Sequence, residues 1–212
     1  MPKQFCRTSV VISVLTLTFA LYFPARAEIA ASAESAKPLA KGSAVPDVSL
    51  KTIEGKEFSL KKETADKLTV MIFYRGGWCP YCNRHLADVQ KAQDDLAKLG
   101  YQVLAVSPDG AAELKATTDK EHLTYTLLSD ADLKATEAFG LGFKLADDTV
   151  EKYKNYGIKL TAKKDEKFVL PVPAVFLIGK DGKVAFTHYD PDYKKRLSAE
   201  ELLKTARAVA AQ

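Results

Sequence analysis

The feature that most constrains this chain is a nearly continuous apolar run, Leu68–Tyr74, which passes through two glycines into a helical pattern. A run of this length without alternating polar positions is typical of a β-strand that is buried on both faces. From Pro80 to Leu99, residues such as Leu86, Val89 and Leu96 recur near helical spacing. A strand covered on both faces and followed directly by a helix predicts an α/β fold.

The same alternation of apolar strands and helical stretches continues along the chain. Further strands are predicted at 101–106, 125–128, 174–178 and 184–189, helices at 111–121, 133–139 and 198–210, and a short hairpin at 48–60. Lys180-Asp181-Gly182 is predicted to turn the chain between the last two strands. This order predicts a sandwich in which helices flank a central mixed β-sheet, with a short N-terminal hairpin.

The first 27 residues have the layout of a secretory signal. Lys3 and Arg7 give a positive start, Val10–Phe23 is apolar apart from Ser and Thr, and Ala25-Arg26-Ala27 offers small residues for cleavage. An uncleaved anchor is the alternative, but the apolar run is shorter than the roughly 20 residues that a membrane span needs. We therefore expect cleavage after Ala27, export to the periplasm, and no stable membrane insertion afterwards.

The remaining chain is predicted to form one domain behind a leader. Residues 28–45 are rich in Ala, Ser and Lys, which is typical of a flexible segment, and residues 46–212 form the domain. The predicted signal holds three cations and no acid, so its removal lowers the net charge from +4 to +1. A surface so nearly neutral gives no reason to expect nucleic acid or an anionic membrane as partner.

Two of the three cysteines remain after the predicted cleavage, and both lie in one motif, Cys79-Pro80-Tyr81-Cys82. Cys79 falls at the predicted start of a helix, where unpaired amides and the helix dipole stabilise a thiolate. Pro80 suits the first helical turn, where no backbone donor is needed. Cys82 lies one turn further on the same face, so the two sulfurs can close a redox-active disulfide.

Other interpretations of the cysteine pair remain open. A purely structural disulfide would restrict the unfolded chain little, because the loop it closes is so short. Zinc would need two more ligands, and His85 is the only candidate nearby. Covalent haem is excluded because Asn83, not histidine, follows the second cysteine.

Three neighbours of the motif are candidate support residues. Trp78 is either an ordinary core aromatic or a partly exposed ring that shields the disulfide and contacts substrate. Arg75 either stabilises a thiolate or a bound peroxide, or is a solvated charge at the end of the strand. Pro173 enters a predicted central strand, where proline marks an edge or a special turn; a cis Val172–Pro173 bond would suit this position, and the sequence does not decide it.

Four ordered blocks, LTVMIFYRGGWCPYC, GYQVLAVSPDG, LLSDADLKATEAFGLG and VPAVFLIGKDG, resemble the AhpC/TSA peroxiredoxin-like family of the thioredoxin superfamily. The resemblance runs from about Val45 to Gln212. It implies a thioredoxin-like (redoxin) domain over 46–212 that reduces hydroperoxides or disulfides by cysteine chemistry. It also implies re-reduction by a thioredoxin-like donor, with no metal or organic cofactor.

The chain departs from the family pattern at the site. Peroxiredoxins carry Pro-x-x-x-Thr-x-x-Cys here, and in that register Cys82 takes the peroxidatic place, Cys79 replaces the threonine and Arg75 replaces the proline. Where the family has a later arginine, this chain has Pro173-Ala174, as in thioredoxins, whose proline faces the cysteine pair beside a backbone that receives substrate. Val172 would supply that backbone. The peroxiredoxin register makes Cys82 the attacking cysteine; helix-terminus electrostatics favour Cys79.

The resemblance and the motif together lead to a ranked set of functions. The first is an exported thiol-dependent peroxidase that reduces hydroperoxides through the CxxC pair. The second is a periplasmic thiol-disulfide reductase that acts on protein disulfides. The third is a copper-binding protein of the same fold, against which the CxxC spacing argues, because such relatives use CxxxC with a distant histidine.

Overall fold

The computed structural model describes residues 28–162 and 167–211, so the predicted signal segment 1–27 lies outside the described residues. No helix within these ranges is both long enough and apolar enough to cross a membrane. The strands are β1 (Ser49–Thr52), β2 (Glu57–Ser59), β3 (Leu68–Phe73), β4 (Tyr101–Ser107), β5 (Thr126–Ser129), β6 (Gly142–Lys144), β7 (Val169–Pro171), β8 (Ala174–Ile178) and β9 (Val184–Tyr189). The helices are α1 (Leu60–Thr64), α2 (Pro80–Lys98), α3 (Ala111–Glu121), α4 (Lys134–Ala138), α5 (Asp147–Asn155) and α6 (Ala199–Ala210), preceded by a 3-10 turn at Ala33–Ser35.

Seven strands form one mixed sheet in the order β2-β1-β5-β4-β3-β8-β9. The strand β3 runs parallel to β4 and antiparallel to β8, so it lies inside the sheet with a partner on each edge. The strands β6 and β7 pair separately as a small antiparallel ribbon. The central mixed sheet and the N-terminal hairpin, β1 with β2, confirm the fold class expected from the sequence.

Alternate residues of β3 enter two different core layers, because successive side chains of a strand point to opposite faces. Val70 and Ile72 pack with the helices α2, α3 and α6, and both cysteines belong to this layer. Met71 and Phe73 pack on the other face with α1 and α4. The sheet is therefore covered on both sides, as the unbroken apolar run predicted, and the cysteines sit on one defined face.

Residues 28–45 are packed onto the domain, so the prediction of a flexible leader is wrong. The N–H of Ala30 donates to the carbonyl of Gly142 at 2.8 Å, and the N–H of Leu39 donates to the carbonyl of Phe139 at 3.1 Å. Ala36 is buried against the second core layer. The composition pointed to disorder because it lacks large apolar residues, but small side chains let this backbone approach the sheet and hydrogen-bond to it.

The segment is held most closely at Gly140, where α4 ends. Gly140 has φ of +68°, and a Cβ built there would lie 2.0 Å from the carbonyl oxygen of Lys37. Gly182, in the β8–β9 turn, has the same φ of +68° but open space around the corresponding position. The two glycines therefore share a backbone conformation and differ in whether a neighbouring backbone excludes a side chain.

Alanine substitutions at Gly140 and Gly182 distinguish the cost of backbone strain from the cost of a steric clash. Gly182→Ala is expected to lower the free energy of unfolding by about 1–2 kcal/mol, the cost of a left-handed alanine. Gly140→Ala should cost clearly more, because the backbone at Lys37 has to move away. Urea unfolding of both variants measures the difference; equal losses would mean that residues 28–45 do not press against Gly140 in solution.

Candidate active site

The cysteine motif begins where β3 ends and α2 starts. Cys79 occupies the N-cap of α2 with φ of −90°, and Pro80 follows at the first helical position, as expected from the sequence. The loop in front is fixed by two side chains. Gly77 N–H donates to Asp109 Oδ2 at 2.7 Å, and Asn83 Nδ2 donates to the Gly77 carbonyl at 2.8 Å. This bracing fixes the position of Cys79 relative to the helix axis.

Both cysteines are free thiols beneath the surface, with 1% of Cys79 and none of Cys82 exposed. The hydrogen bond from the Cys82 side chain is the largest cause that lowers the pKa of Cys79, which falls to about 6 against the opposing effect of burial. The Cys82 backbone N–H and the cations Arg75 and Arg196 lower the pKa of Cys79 further. Burial, together with the adjacent Cys79, raises the pKa of Cys82 well above its ordinary value. Cys79 is therefore the thiolate and Cys82 the proton-bearing partner.

Arg75 is a buried cation held by aromatic rings. It is only 4% exposed, and its guanidinium carbon lies 5.0 Å from the ring centre of Trp78, 5.4 Å from that of Tyr153 and 4.2 Å from that of Tyr193. The guanidinium also donates to the Tyr153 hydroxyl, while Nε has no partner. Within the described ranges no carboxylate forms a salt bridge with Arg75. Three rings thus compensate a positive charge that remains available to an anion or a polar oxygen.

The aromatic residues around Arg75 also pack against one another near the start of α2. Trp78 packs on Tyr153 of α5 with ring centres 5.2 Å apart, and Tyr81 packs edge-on against Tyr193 at 5.7 Å. Tyr193 comes from the loop between β9 and α6. Trp78 itself is half-buried and packs against the cysteine-containing core. The site is consequently bordered by two segments that are far from the motif in the sequence.

Two cavities meet at Arg75. One, of about 480 Å³, runs past Trp78 and Asp109 towards the segment 156–161. The other, of about 420 Å³, is lined by Pro173, Tyr153 and Tyr193. Arg75 lines both, so a small molecule in either cavity can lie against this residue.

The two residues of the Val172–Pro173 pair have different surroundings. No cis peptide bond occurs among the described residues, so the bond between them is trans. Pro173 lines the second cavity together with Arg75. Val172, however, packs in the opposite core layer, and its N–H already donates to the Leu141 carbonyl at 2.8 Å. The Val172 N–H is therefore already paired within the fold, because Leu141, just before β6, accepts it.

Sequence reasoning missed the second cation at the site. Arg196, in the β9–α6 loop, donates from Nη2 to the Cys82 sulfur at 3.6 Å. The preceding lysines, Lys194 and Lys195, are exposed as expected. Nothing in the local pattern distinguishes Arg196 from these neighbours, since its role arises from a contact 114 residues away. Tyr153 and Tyr193 were missed for the same reason.

The surroundings of the motif are unfavourable for a metal cation. The described part of the chain has no cluster of three or more His, Cys, Asp or Glu residues that could hold one. His85 is buried one turn beyond Cys82, where burial and the positive charge of Arg196 lower its pKa to about 4. Two arginines beside the cysteines would also repel a bound cation.

Comparison with known proteins identifies the family to which the chain is similar. The model of the AhpC/TSA family matches residues 41–187. Over 103 residues, 49% of this chain, the sequence is 34% identical to the chloroplastic peroxiredoxin Q of Triticum aestivum, of which the match covers 47%. It is 33% identical to peroxiredoxin Bcp of Escherichia coli over 104 residues, again 49% of this chain and 66% of that protein. The alignment thus spans from just under half to about two thirds of these relatives.

Solved structures agree on the fold. The reduced Prx3 of Vibrio vulnificus, in complex with H2O2, superimposes with a TM-score of 0.66 at 20% identity, covering 79% of this chain and 99% of that one. The sheet, the helices and the cysteine at a strand-to-helix junction define a peroxiredoxin-like protein of the thioredoxin fold. The matched residues place it more narrowly: the chain belongs to the AhpC/TSA family.

The difference in acidity between the two cysteines can be measured by the ultraviolet absorbance of the thiolate. One thiolate should be present above about pH 6 and be lost as the pH falls through the pKa of Cys79. Cys82→Ala should shift that transition to higher pH, because it removes the hydrogen bond that lowers the pKa most. Cys79→Ser should abolish it. A transition that stays in place in Cys79→Ser would identify Cys82 as the acidic thiol instead.

Proposed function

We propose that this chain is a thiol peroxidase that reduces hydroperoxides through Cys79 and Cys82. The observation that carries the proposal is the placement of an acidic thiol beside a buried guanidinium, Arg75, that has no carboxylate partner in the described ranges. Reduction of a hydroperoxide requires both a thiolate and a nearby cation. The thiolate attacks one oxygen while a cation stabilises the negative charge that develops on the other.

The first step forms a sulfenic acid on Cys79. The thiolate sulfur attacks the terminal oxygen of ROOH, the O–O bond breaks, and RO⁻ leaves and takes up a proton to become ROH. Arg75 lowers the pKa of Cys79 and lines both cavities, which supports a role for its guanidinium in stabilising the charge on the departing oxygen. The sulfur is oxidised by two electrons and the peroxide is reduced by two.

The second step joins the cysteines. Cys82 gives up its proton and attacks the Cys79 sulfur, the S–O bond breaks, and hydroxide leaves with that proton as water. The resulting Cys79–Cys82 disulfide then returns to two thiols by exchange with a dithiol donor of the thioredoxin type, which is itself oxidised to a disulfide. We propose this donor class on the strength of the family.

Two features favour peroxide over a protein disulfide as the substrate. Cys79 is only 1% exposed, and a small peroxide can reach a buried sulfur more easily than a polypeptide can. The N–H of Val172, which would have paired with an extended substrate, is already engaged by Leu141. A disulfide reductase would need both Cys79 and a neighbouring backbone group to be accessible at once.

The proposal predicts selective oxidation by peroxide. Reduced protein without residues 1–27 should lose two thiols rapidly with hydrogen peroxide and far more slowly with a disulfide-bonded protein, as measured by free-thiol titration. Cys82→Ser should stop at a Cys79 sulfenic acid that a dimedone probe traps, whereas Cys79→Ser should not react. Thiol loss with the protein disulfide alone would replace the peroxidase by a reductase.

We also propose that the enzyme acts outside the cytoplasm, on the basis of the signal-like pattern in residues 1–27. Expression of the full chain in a Gram-negative host should yield protein in the periplasmic fraction whose first residue is Glu28. Intact-mass and N-terminal peptide analysis measure this directly. As a control, replacing Ala25 and Ala27 by Leu should block cleavage; full-length chain in the cytoplasmic fraction of wild type would contradict export.

A further inference from the structure

Cys82 poses a chemical problem that the proposed function leaves open. It is completely buried, and burial raises its pKa well above the ordinary value. Nevertheless it has to lose its proton before it can attack a sulfenic acid on Cys79. A buried thiol becomes a thiolate only if a nearby cation or hydrogen-bond donor compensates the new charge.

The groups around the sulfur leave few candidates for that role. Among the described residues, Cys79, Tyr74, Arg196 and the Arg75 backbone act on Cys82. The titratable groups beside Tyr74 and the nearby His85 are Asp109, Tyr125, Asp88 and His188. Burial raises the pKa of Tyr74 and lowers that of His85 to about 4, so both are neutral near neutral pH. Asp109 is a carboxylate, whose negative charge would destabilise a thiolate on Cys82. The two arginines remain: Arg75 acts on Cys82 through its backbone N–H, which lowers the pKa of that thiol, whereas Arg196 brings its guanidinium into contact with the sulfur.

We propose that Arg196 is a catalytic residue of the second step, in which it stabilises the Cys82 thiolate that attacks oxidised Cys79. Its Nη2 already donates to the Cys82 sulfur at 3.6 Å. When Cys82 ionises, this contact becomes a charge-assisted hydrogen bond, which is stronger than a neutral one. The inference rests on the proposed function, because it requires a sulfenic acid on Cys79.

The fold holds Arg196 in place from both sides. Its Nη1 donates to the carbonyl of Lys195 at 2.7 Å, which orients the guanidinium plane. Leu197, the next residue, is buried in the cysteine-containing core, and Ser198 caps α6 by accepting from the Glu201 N–H at 3.2 Å. On the other side, Tyr193 packs against Arg75. A residue so anchored loses little conformational freedom when the thiolate forms.

Both arginines lower the pKa of Cys79, but in this assignment each makes its main contribution in a different step. In the first step the negative charge starts on Cys79 and passes to the departing oxygen, close to Arg75. In the second step it appears on Cys82, in contact with Arg196, and ends on the hydroxide that leaves Cys79 as water. Apart from the proton that RO⁻ takes up from solvent, neither step needs a reactant beyond the peroxide, the Cys79 thiolate and the Cys82 thiol, so electrons and protons balance within the cycle already described.

Single-turnover kinetics test this assignment. Reduced protein is mixed with one equivalent of hydrogen peroxide at about pH 7.5, where Cys79 stays ionised and the first step is insensitive to a small change in its pKa. The fluorescence of Trp78, the only tryptophan of the chain, and dimedone-quenched mass spectra follow the sulfenic acid and the disulfide. Arg196→Met is compared with wild type, with Arg196→Lys, and with Arg84→Met, an exposed arginine on α2.

We expect Arg196→Met to form the sulfenic acid at a rate within about twofold of wild type and to form the disulfide at least about tenfold more slowly. The second step should also reach its maximum at higher pH, and excess peroxide should give more sulfinic acid on Cys79. Arg196→Lys should recover part of the rate because it keeps the charge. Arg84→Met should behave as wild type.

Other outcomes would overturn the assignment. Disulfide formation in Arg196→Met within about twofold of wild type, or an equal loss in the Arg84 control, would show that Arg196 has no particular role. Equal defects in the Met and Lys variants would contradict the electrostatic explanation. Melting temperatures identify a variant that fails by unfolding. If Cys82→Ser yields no Cys79 sulfenic acid, the proposed function itself fails, whatever Arg196 does.

Discussion

The hydrogen bond from the Cys82 thiol to Cys79 is the interaction on which the rest of the site depends. It is the largest single cause that lowers the pKa of Cys79, and the adjacent Cys79 in turn helps to keep Cys82 protonated. The pair therefore carries one negative charge, on the sulfur at the helix N-terminus. The glycine loop, its anchor on Asp109 and the aromatic residues around Arg75 all serve to hold this one geometry.

The arrangement combines two family patterns in one site. The scaffold is that of the AhpC/TSA family, yet the acidic sulfur occupies the position where the family pattern has a threonine, and the buried sulfur occupies the peroxidatic position. Two arginines, one just after β3 and one after β9, supply positive charge to the pair. Both lower the pKa of Cys79, and the side chain of Arg196 also contacts the Cys82 sulfur.

The sequence allowed the sheet, the long helix α2 and the position of Cys79 to be predicted, because these depend on local periodicity and on helix-end chemistry. It did not reveal the docking of residues 28–45, since alanine and serine carry no signal for burial when backbone hydrogen bonds hold the segment. Arg196, Tyr153 and Tyr193 could not be found either. Their roles depend on which distant segments the fold brings close to the cysteine motif. The local sequence of a charged loop does not indicate such a contact.

The docking of the N-terminal segment has a consequence for the order of events during biogenesis. Ala30 is hydrogen-bonded to the ribbon strand β6, only three residues beyond the expected cleavage position after Ala27. A signal peptidase binds its substrate as an extended chain on both sides of the scissile bond, and the folded domain withholds one of those sides. Processing would then have to precede docking of this segment, so a precursor that folded before cleavage would resist the peptidase.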